Sequence, residues 1–340
     1  MTNAYFYFAR NFYTKNMTLK VSKLAKKFND RWILRDVSVE VKRGEILGII
    51  GENSSGKSTF LRLIHGSEKS NSGQITFDGK DLTNLSAKER GFSIVADENQ
   101  TGWKNLFNSS KSNGFSASER HRKNIETTFN TAQSVVLLDN PFFNFSQNSF
   151  DEIADILRRK VKEKNLCAIL AIENHEQAFA VCDQLAVLHR GEIQQFGTPR
   201  EIYEKPNSVA VARALGRNNF IEAMRISFTN QSFQEFQTLT GEHRLQTDKS
   251  EKRVLGAITT PVTLAIRPEH ISISFGASFP EDNLLKAKIN DVQYLGATTR
   301  LKLDANGLML EALVLRLVGL NIGDECMVGL PPDRILVLKD

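Results

Sequence analysis

One stretch constrains this chain more than any other: Gly51-Glu52-Asn53-Ser54-Ser55-Gly56-Lys57-Ser58-Thr59. It satisfies the G-x-x-x-x-G-K-[ST] pattern of a phosphate-binding loop. Upstream, Glu45-Ile46-Leu47-Gly48-Ile49-Ile50 has the length and β-branching of a buried strand; downstream, Phe60, Leu61, Leu63 and Ile64 recur at helical spacing. Strand, glycine loop and helix are the context the motif needs. Gly51 and Gly56 let the backbone turn so that successive N–H groups converge on phosphate oxygens at a helix N-terminus, where the helix dipole also favours negative charge. Lys57 then reaches the outer phosphates, and the Ser58 hydroxyl holds Mg²⁺. The sequence therefore points first to nucleotide binding.

At 340 residues, 41% hydrophobic and 24% charged, the chain can bury the cores of two domains. No apolar run reaches the ~18 to 20 residues that span a bilayer, so the expectation is a cytoplasmic protein, soluble or peripheral on the inner face of the cell membrane. Cys167, Cys182 and Cys326 are far apart and show no C-x-x-C spacing, which argues against a metal site or a disulfide framework and fits a reducing compartment. The net charge of +5 is modest, and its basic clusters (120–123 and 158–164) fall in helix-like segments that read as solvated faces. No nucleic-acid partner is expected.

Residues 1–17 are aromatic-rich without apolar periodicity and lack the features of a secretory signal; they read as an extension, or as the product of a start codon upstream of a true start at Met17. Strand patterns follow at 19–22, 32–41 and 73–77. A continuous apolar run, Val135-Val136-Leu137-Leu138, ends in Asp139; then come a helical pattern over 150–161 and a buried strand over 168–172. Strands alternating with helices imply an α/β domain with a mostly parallel sheet, over 18–219. Past Asn219 short alternating runs take over (263–266, 271–274, 287–292, 299–303, 334–338), which predicts a small all-β domain over 220–340.

With these features in hand, the chain resembles the ATP-binding subunits of ABC transporters, and most of all importer subunits of the sugar, polyamine and ferric-iron type. The segment Leu188-His189-Arg190-Gly191-Glu192-Ile193-Gln194-Gln195-Phe196-Gly197-Thr198-Pro199-Arg200-Glu201-Ile202-Tyr203 is similar to theirs, as are Arg267-Pro268-Glu269-His270-Ile271 and Tyr294-Leu295-Gly296 of the OB-like TOBE domain. The resemblance implies Mg²⁺ and ATP as cofactors. It implies Phe28 as the aromatic residue stacking on adenine, with Trp32 as the alternative, and Asp139, at the end of the strand beside the phosphate loop, as the Mg²⁺ aspartate. It also implies a dimer, homodimeric or with a second ATPase subunit, docked on membrane-spanning transporter subunits.

The departures from that family pattern are as specific as the matches. Asn140 occupies the place of the glutamate that activates water, and an amide takes no proton. Glu173 occupies the place of the switch histidine, with His175 two positions on and expected to face elsewhere. Asp97 replaces the glutamine that senses the γ-phosphate. In the signature-like stretch Phe115-Ser116-Ala117-Ser118-Glu119 only Ser116 matches, and the loop after Asp139 reads Phe143-Asn144-Phe145-Ser146. The segment between Asp97 and Phe115 is short, which implies a truncated helical subdomain. Two functions remain open from these residues: an import subunit with impaired hydrolysis, or a non-hydrolysing regulatory or scaffold protein derived from one. A competing reading is that Glu173 has itself taken over as the base, which would make the chain an enzyme with a relocated base.

Overall fold

The computed structural model describes residues 18–96, 117–143, 145–227, 233–248, 260–275, 283–315 and 319–338. The chain divides into two compact units, one ending at Glu204 and the other beginning at Lys205.

The first unit opens with a long antiparallel pair, β1 (Thr18–Phe28) and β2 (Arg31–Lys42), then β3 (Ile46–Ile50). Helix α1 (Lys57–His65) follows, then β4 (Ser72–Phe77), β5 (Lys80–Asp81), α2 (Ala87–Arg90) and β6 (Ser93–Val95). Next are α3 (Ala117–Thr131), β7 (Val135–Asp139), α4 (Gln147–Glu163), β8 (Cys167–Ile172), α5 (His175–Val181), β9 (Gln184–His189), β10 (Glu192–Gly197) and α6 (Pro199–Glu204). Two sheets result. An antiparallel sheet runs β2-β1-β4-β5, and a six-stranded sheet runs β10-β9-β3-β8-β7-β6, parallel except where β10 folds back on β9.

Every residue of β3, β7 and β8 is buried, the pattern of parallel strands covered on both faces. In β2 the alternation of Val37, Val39 and Val41 turns one face inward and leaves the other wet. Phe60, Leu61, Leu63 and Ile64 of α1 join Leu19, Val21, Leu34, Leu47, Leu137 and Ile169 in one core, so the helix that starts at the phosphate loop is clamped between the two sheets. Helix α4 buries Phe150, Ile153, Ala154, Leu157 and Val161, a stripe at three- and four-residue spacing, and Ser146 caps it by accepting from the Ser149 N–H.

The second unit is β-rich, as the sequence predicts, with a short helix α7 (Val209–Ala214) at its start. Strands β11 (Asn219–Ser227), β12 (Phe233–Thr238), β13 (Arg244–Asp248), β14 (Pro261–Ile266), β15 (Ser272–Ser274), β16 (Asn283–Tyr294), β17 (Thr298–Ala305), β18 (Leu308–Leu315), β19 (Glu325–Leu330) and β20 (Leu336–Leu338) form two five-stranded antiparallel sheets. Their orders are β13-β12-β11-β14-β20 and β15-β19-β16-β17-β18, and they share one apolar core. The predicted strand over 334–338 is half right: Pro332–Arg334 is a 3-10 turn, which proline favours at its start because its missing N–H would have no partner there.

The unit boundary at Lys205 also precedes the expected one after residue 219. Ala212 of α7 packs with Ala265 and Leu338, flanked by Val209 and Phe220, and the buried Arg267 guanidinium donates to the Leu215 and Arg217 carbonyls, each at 3.2 Å. Residues 209–217 therefore belong to the β unit.

Candidate functional site

The site sits at the carboxyl ends of β3, β8 and β7. Registers of Ile50 with Ile172 and of Asp139 with Ala171 bring the loop after β3, the residue after β8 and the end of β7 to one edge of the sheet. Strand β8 lies between β3 and β7, so the Asp139 strand is one place removed from the phosphate-loop strand rather than next to it. The loop bridges the gap: the Ser58 hydroxyl donates to Asp139 Oδ1 at 3.1 Å.

The two loop glycines do different work. Gly56, at φ +109°, adopts a conformation that side chains rarely take, and it starts α1 with no side-chain cap, so the first N–H groups of the helix stay available to an anion. Gly51 has no positive φ; a Cβ there would sit 2.1 Å from the Leu188 carbonyl oxygen of β9, so its role is close packing rather than turning. Lys57 is buried, and its ammonium donates to the Gly51 and Glu52 carbonyls at 2.8 and 3.0 Å, curling the side chain back over the loop. Burial pushes its pKa down, against the pull of the Glu173 and Asp139 carboxylates.

A cavity of about 270 Å³ opens over this loop. Asn53, Ser54, Gly56, Lys57, Ser58 and Thr59 line one side of it, and Asp139, Asn140 and Glu173 line the strand-end side, so three separated departures and matches of the sequence converge on one space. Phe28 also lines it, half-exposed, with the Lys26 ammonium 4.7 Å from its ring centroid. Trp32 lines a separate hollow with Lys23 and Arg35, which favours Phe28 as the ring beside the phosphate loop. His175 is not in the lining; it packs edge-on against Phe179 at 5.6 Å. Sequence reasoning missed Ile33 and Ala171 as lining residues, because apolar side chains at a site carry no chemical signal.

Asn140 makes the tight turn after β7. It holds φ +51°, its N–H donates to the Ala171 carbonyl at 2.9 Å, and its own carbonyl accepts from the Phe143 N–H at 3.2 Å. Asp97 and Ser116 lie outside the described residues, as does Asn144. Ala117–Thr131 is helical, so the C-terminal part of the signature-like stretch is the first turn of α3.

The donors fit a phosphate chain with its cation. The Ser55 Oγ is buried without a hydrogen-bond partner among the described residues, and a phosphate oxygen over the loop would supply one. The Ser58 hydroxyl and the buried Asp139 carboxylate are hard oxygen donors of the kind Mg²⁺ takes alongside phosphates and water, and among the described residues no group of three His, Cys, Asp or Glu forms a metal cage of its own.

A phosphate loop on a buried parallel strand, with an aspartate carboxylate on its Ser58, defines a phosphate-loop nucleotide-binding domain. Comparison with known proteins specifies it: residues 34–109 match the ABC transporter family and residues 264–338 match the TOBE domain. The chain thus carries an ABC transporter ATP-binding domain followed by a TOBE domain, the architecture that the sequence resemblance implied.

Among its relatives, the spermidine/putrescine import ATP-binding protein PotA of Protochlamydia amoebophila is 28% identical over 312 residues, covering 81% of this chain and 83% of the relative. The molybdate/tungstate import ATP-binding protein WtpC of Pyrococcus horikoshii is 26% identical over 358 residues, covering 94% and 99%. The sulfate/thiosulfate import ATP-binding protein CysA of Mannheimia succiniciproducens is 24% identical over 327 residues, covering 85% and 88%. A nucleotide-free ATP-binding cassette from an ABC transporter shares the fold with a TM-score of 0.50 at 18% identity, covering 59% of this chain and all of that one. Among the described residues no helix is long and apolar enough to cross a membrane.

Proposed function

We propose that this chain is the ATP-binding subunit of an ABC-type import complex, one that binds Mg-ATP through its phosphate loop and hydrolyses it slowly. The observation that carries the reading is the composition of one cavity, which combines an intact phosphate loop, with Ser58 bonded to Asp139, and an amide at Asn140 where a base would be needed. Backbone N–H groups of the loop and Lys57 take the phosphates, Ser58 and Asp139 take Mg²⁺, and Phe28 stacks on the base. Mg²⁺ supplies charge neutralisation for the phosphates.

The relatives are named for the import of compounds as different as spermidine/putrescine, molybdate/tungstate and sulfate/thiosulfate, which supports a subunit that powers transport without choosing the solute. On this reading the chain works as a dimer at the inner face of a membrane, on membrane-spanning partner subunits. Asn140 also favours a second reading, a nucleotide-binding regulator descended from such a subunit with no turnover at all.

The binding step is tested by titrating a fluorescent ATP analogue, with and without Mg²⁺, into the wild-type chain and Lys57→Ala. Losing the lysine removes a charge-assisted contact, an affinity loss of about one to two decades. Equal affinities for the two proteins would refute phosphate-loop binding.

A further inference from the structure

We propose that Glu173 sets nucleotide specificity, making the site favour a nucleoside diphosphate over the triphosphate. The inference rests on the nucleotide-binding reading above and adds a preference to it.

Glu173 directly follows β8, whose last residue is in register with Ile50, the last residue before the phosphate loop. That places it between the loop and the strand carrying Asp139, and its side chain lines the same cavity as Lys57 and Ser58. Burial pushes the Lys57 pKa down, and the Glu173 carboxylate pulls it back up, so the two groups feel each other across the cavity. A phosphate-loop lysine serves the β and γ phosphates, so a carboxylate coupled to that ammonium lies within Coulomb range of the terminal phosphate.

The charges in the cavity do not balance for a triphosphate. Among the described lining residues the cation is Lys57, and Asp139 and Glu173 are both carboxylates. Mg²⁺ held at Ser58 and Asp139 offsets Asp139 and part of the phosphate charge, which leaves Glu173 facing whatever occupies the outer end of the chain. Asn140, which lines the cavity on the same strand-end side, is neutral. A diphosphate carries one negative charge fewer and stops short of Glu173; a triphosphate brings its last charge toward it. Glu173 is exposed, which moderates the repulsion and also lets the residue be replaced without disturbing the core.

The test is calorimetric titration of Mg-ADP and Mg-ATP into the wild-type chain and Glu173→Gln, each at low and at high salt. Wild type is expected to bind Mg-ADP more tightly than Mg-ATP, with the gap narrowing as salt rises. Glu173→Gln should tighten Mg-ATP by about tenfold while moving Mg-ADP by less than about threefold. An equal change for both nucleotides, no change for either, or a wild-type preference for ATP overturns the specificity role while leaving nucleotide binding standing. Failure of the wild-type chain to bind either nucleotide overturns the nucleotide-binding reading itself, and the preference with it.

Discussion

Replacing Asn140 with glutamate perturbs backbone and chemistry at once, and the structure separates the two. Asn140 sits at φ +51°, a region that asparagine tolerates because its short side chain bonds locally and that costs other L-residues about 1–2 kcal/mol. Asparagine already bears part of that strain, so glutamate adds about 1 kcal/mol, or a Tm lower by about 2–4 °C for a domain of this size. The turn itself holds, because its bonds to the Ala171 carbonyl and from the Phe143 N–H are made by backbone atoms. The chemical gain is larger: a positioned general base is worth on the order of 10²- to 10⁴-fold in rate.

Phosphate release at saturating Mg-ATP, read beside a thermal melt, measures both effects. Asn140→Glu should therefore be slightly less stable and at least ~10²-fold faster than wild type. The double change Asn140→Glu with Glu173→His should exceed either single change non-additively, since both groups act around one terminal phosphate. A variant that binds nucleotide and melts as expected but hydrolyses no faster would show that the amide at Asn140 is not what limits turnover.

Two further outcomes follow from the packing. A fragment of residues 205–340 should unfold cooperatively with a β-type spectrum, whereas one starting at residue 220 loses the Ala212 contact and both carbonyl partners of Arg267 and should melt lower; equal melting would contradict the boundary. His65, buried at the end of α1 beside Arg90, has its pKa pushed down to about 4 by burial first and the guanidinium second, from 6.5. The folded chain refuses a proton that the unfolded chain accepts, so this contribution is intact above pH 6.5 and is lost as pH falls toward about 4, with a slope of up to about 1.4 kcal/mol per pH unit. His65→Gln should flatten that limb in urea melts across the range.

The parts of the fold and site that could be read from the sequence are those where one residue type has one physical use. The phosphate loop, the apolar run ending in Asp139 and the stripe of α4 announce themselves because glycine, a terminal carboxylate and a 3.6-residue period each narrow the options sharply. Asn140 and Glu173 line one cavity because each directly follows a buried parallel strand, and the two strands are paired in register so that their ends share one edge of the sheet.

Other elements were hidden for identifiable reasons. In β12 and β13 the inward positions are marked chiefly by Phe236 and Leu245 among polar neighbours, too sparse a pattern to stand out. Strand β18, Leu308–Leu315, is almost continuously apolar and so reads equally as a helix segment. The packing duty of Gly51 depends on a carbonyl of Leu188, far along the chain, and no local pattern reports it.

On the proposed function, this cavity binds Mg-ATP and lacks an effective base. Single-turnover hydrolysis by the wild-type chain, started from pre-bound Mg-ATP so that occupancy is not in question, tests it most directly. The expected rate is at least ~10²-fold below that of Asn140→Glu and insensitive to Glu173→Gln. A fast wild-type rate that Glu173→Gln abolishes would contradict it, and would identify Glu173 as the base of a working ATPase.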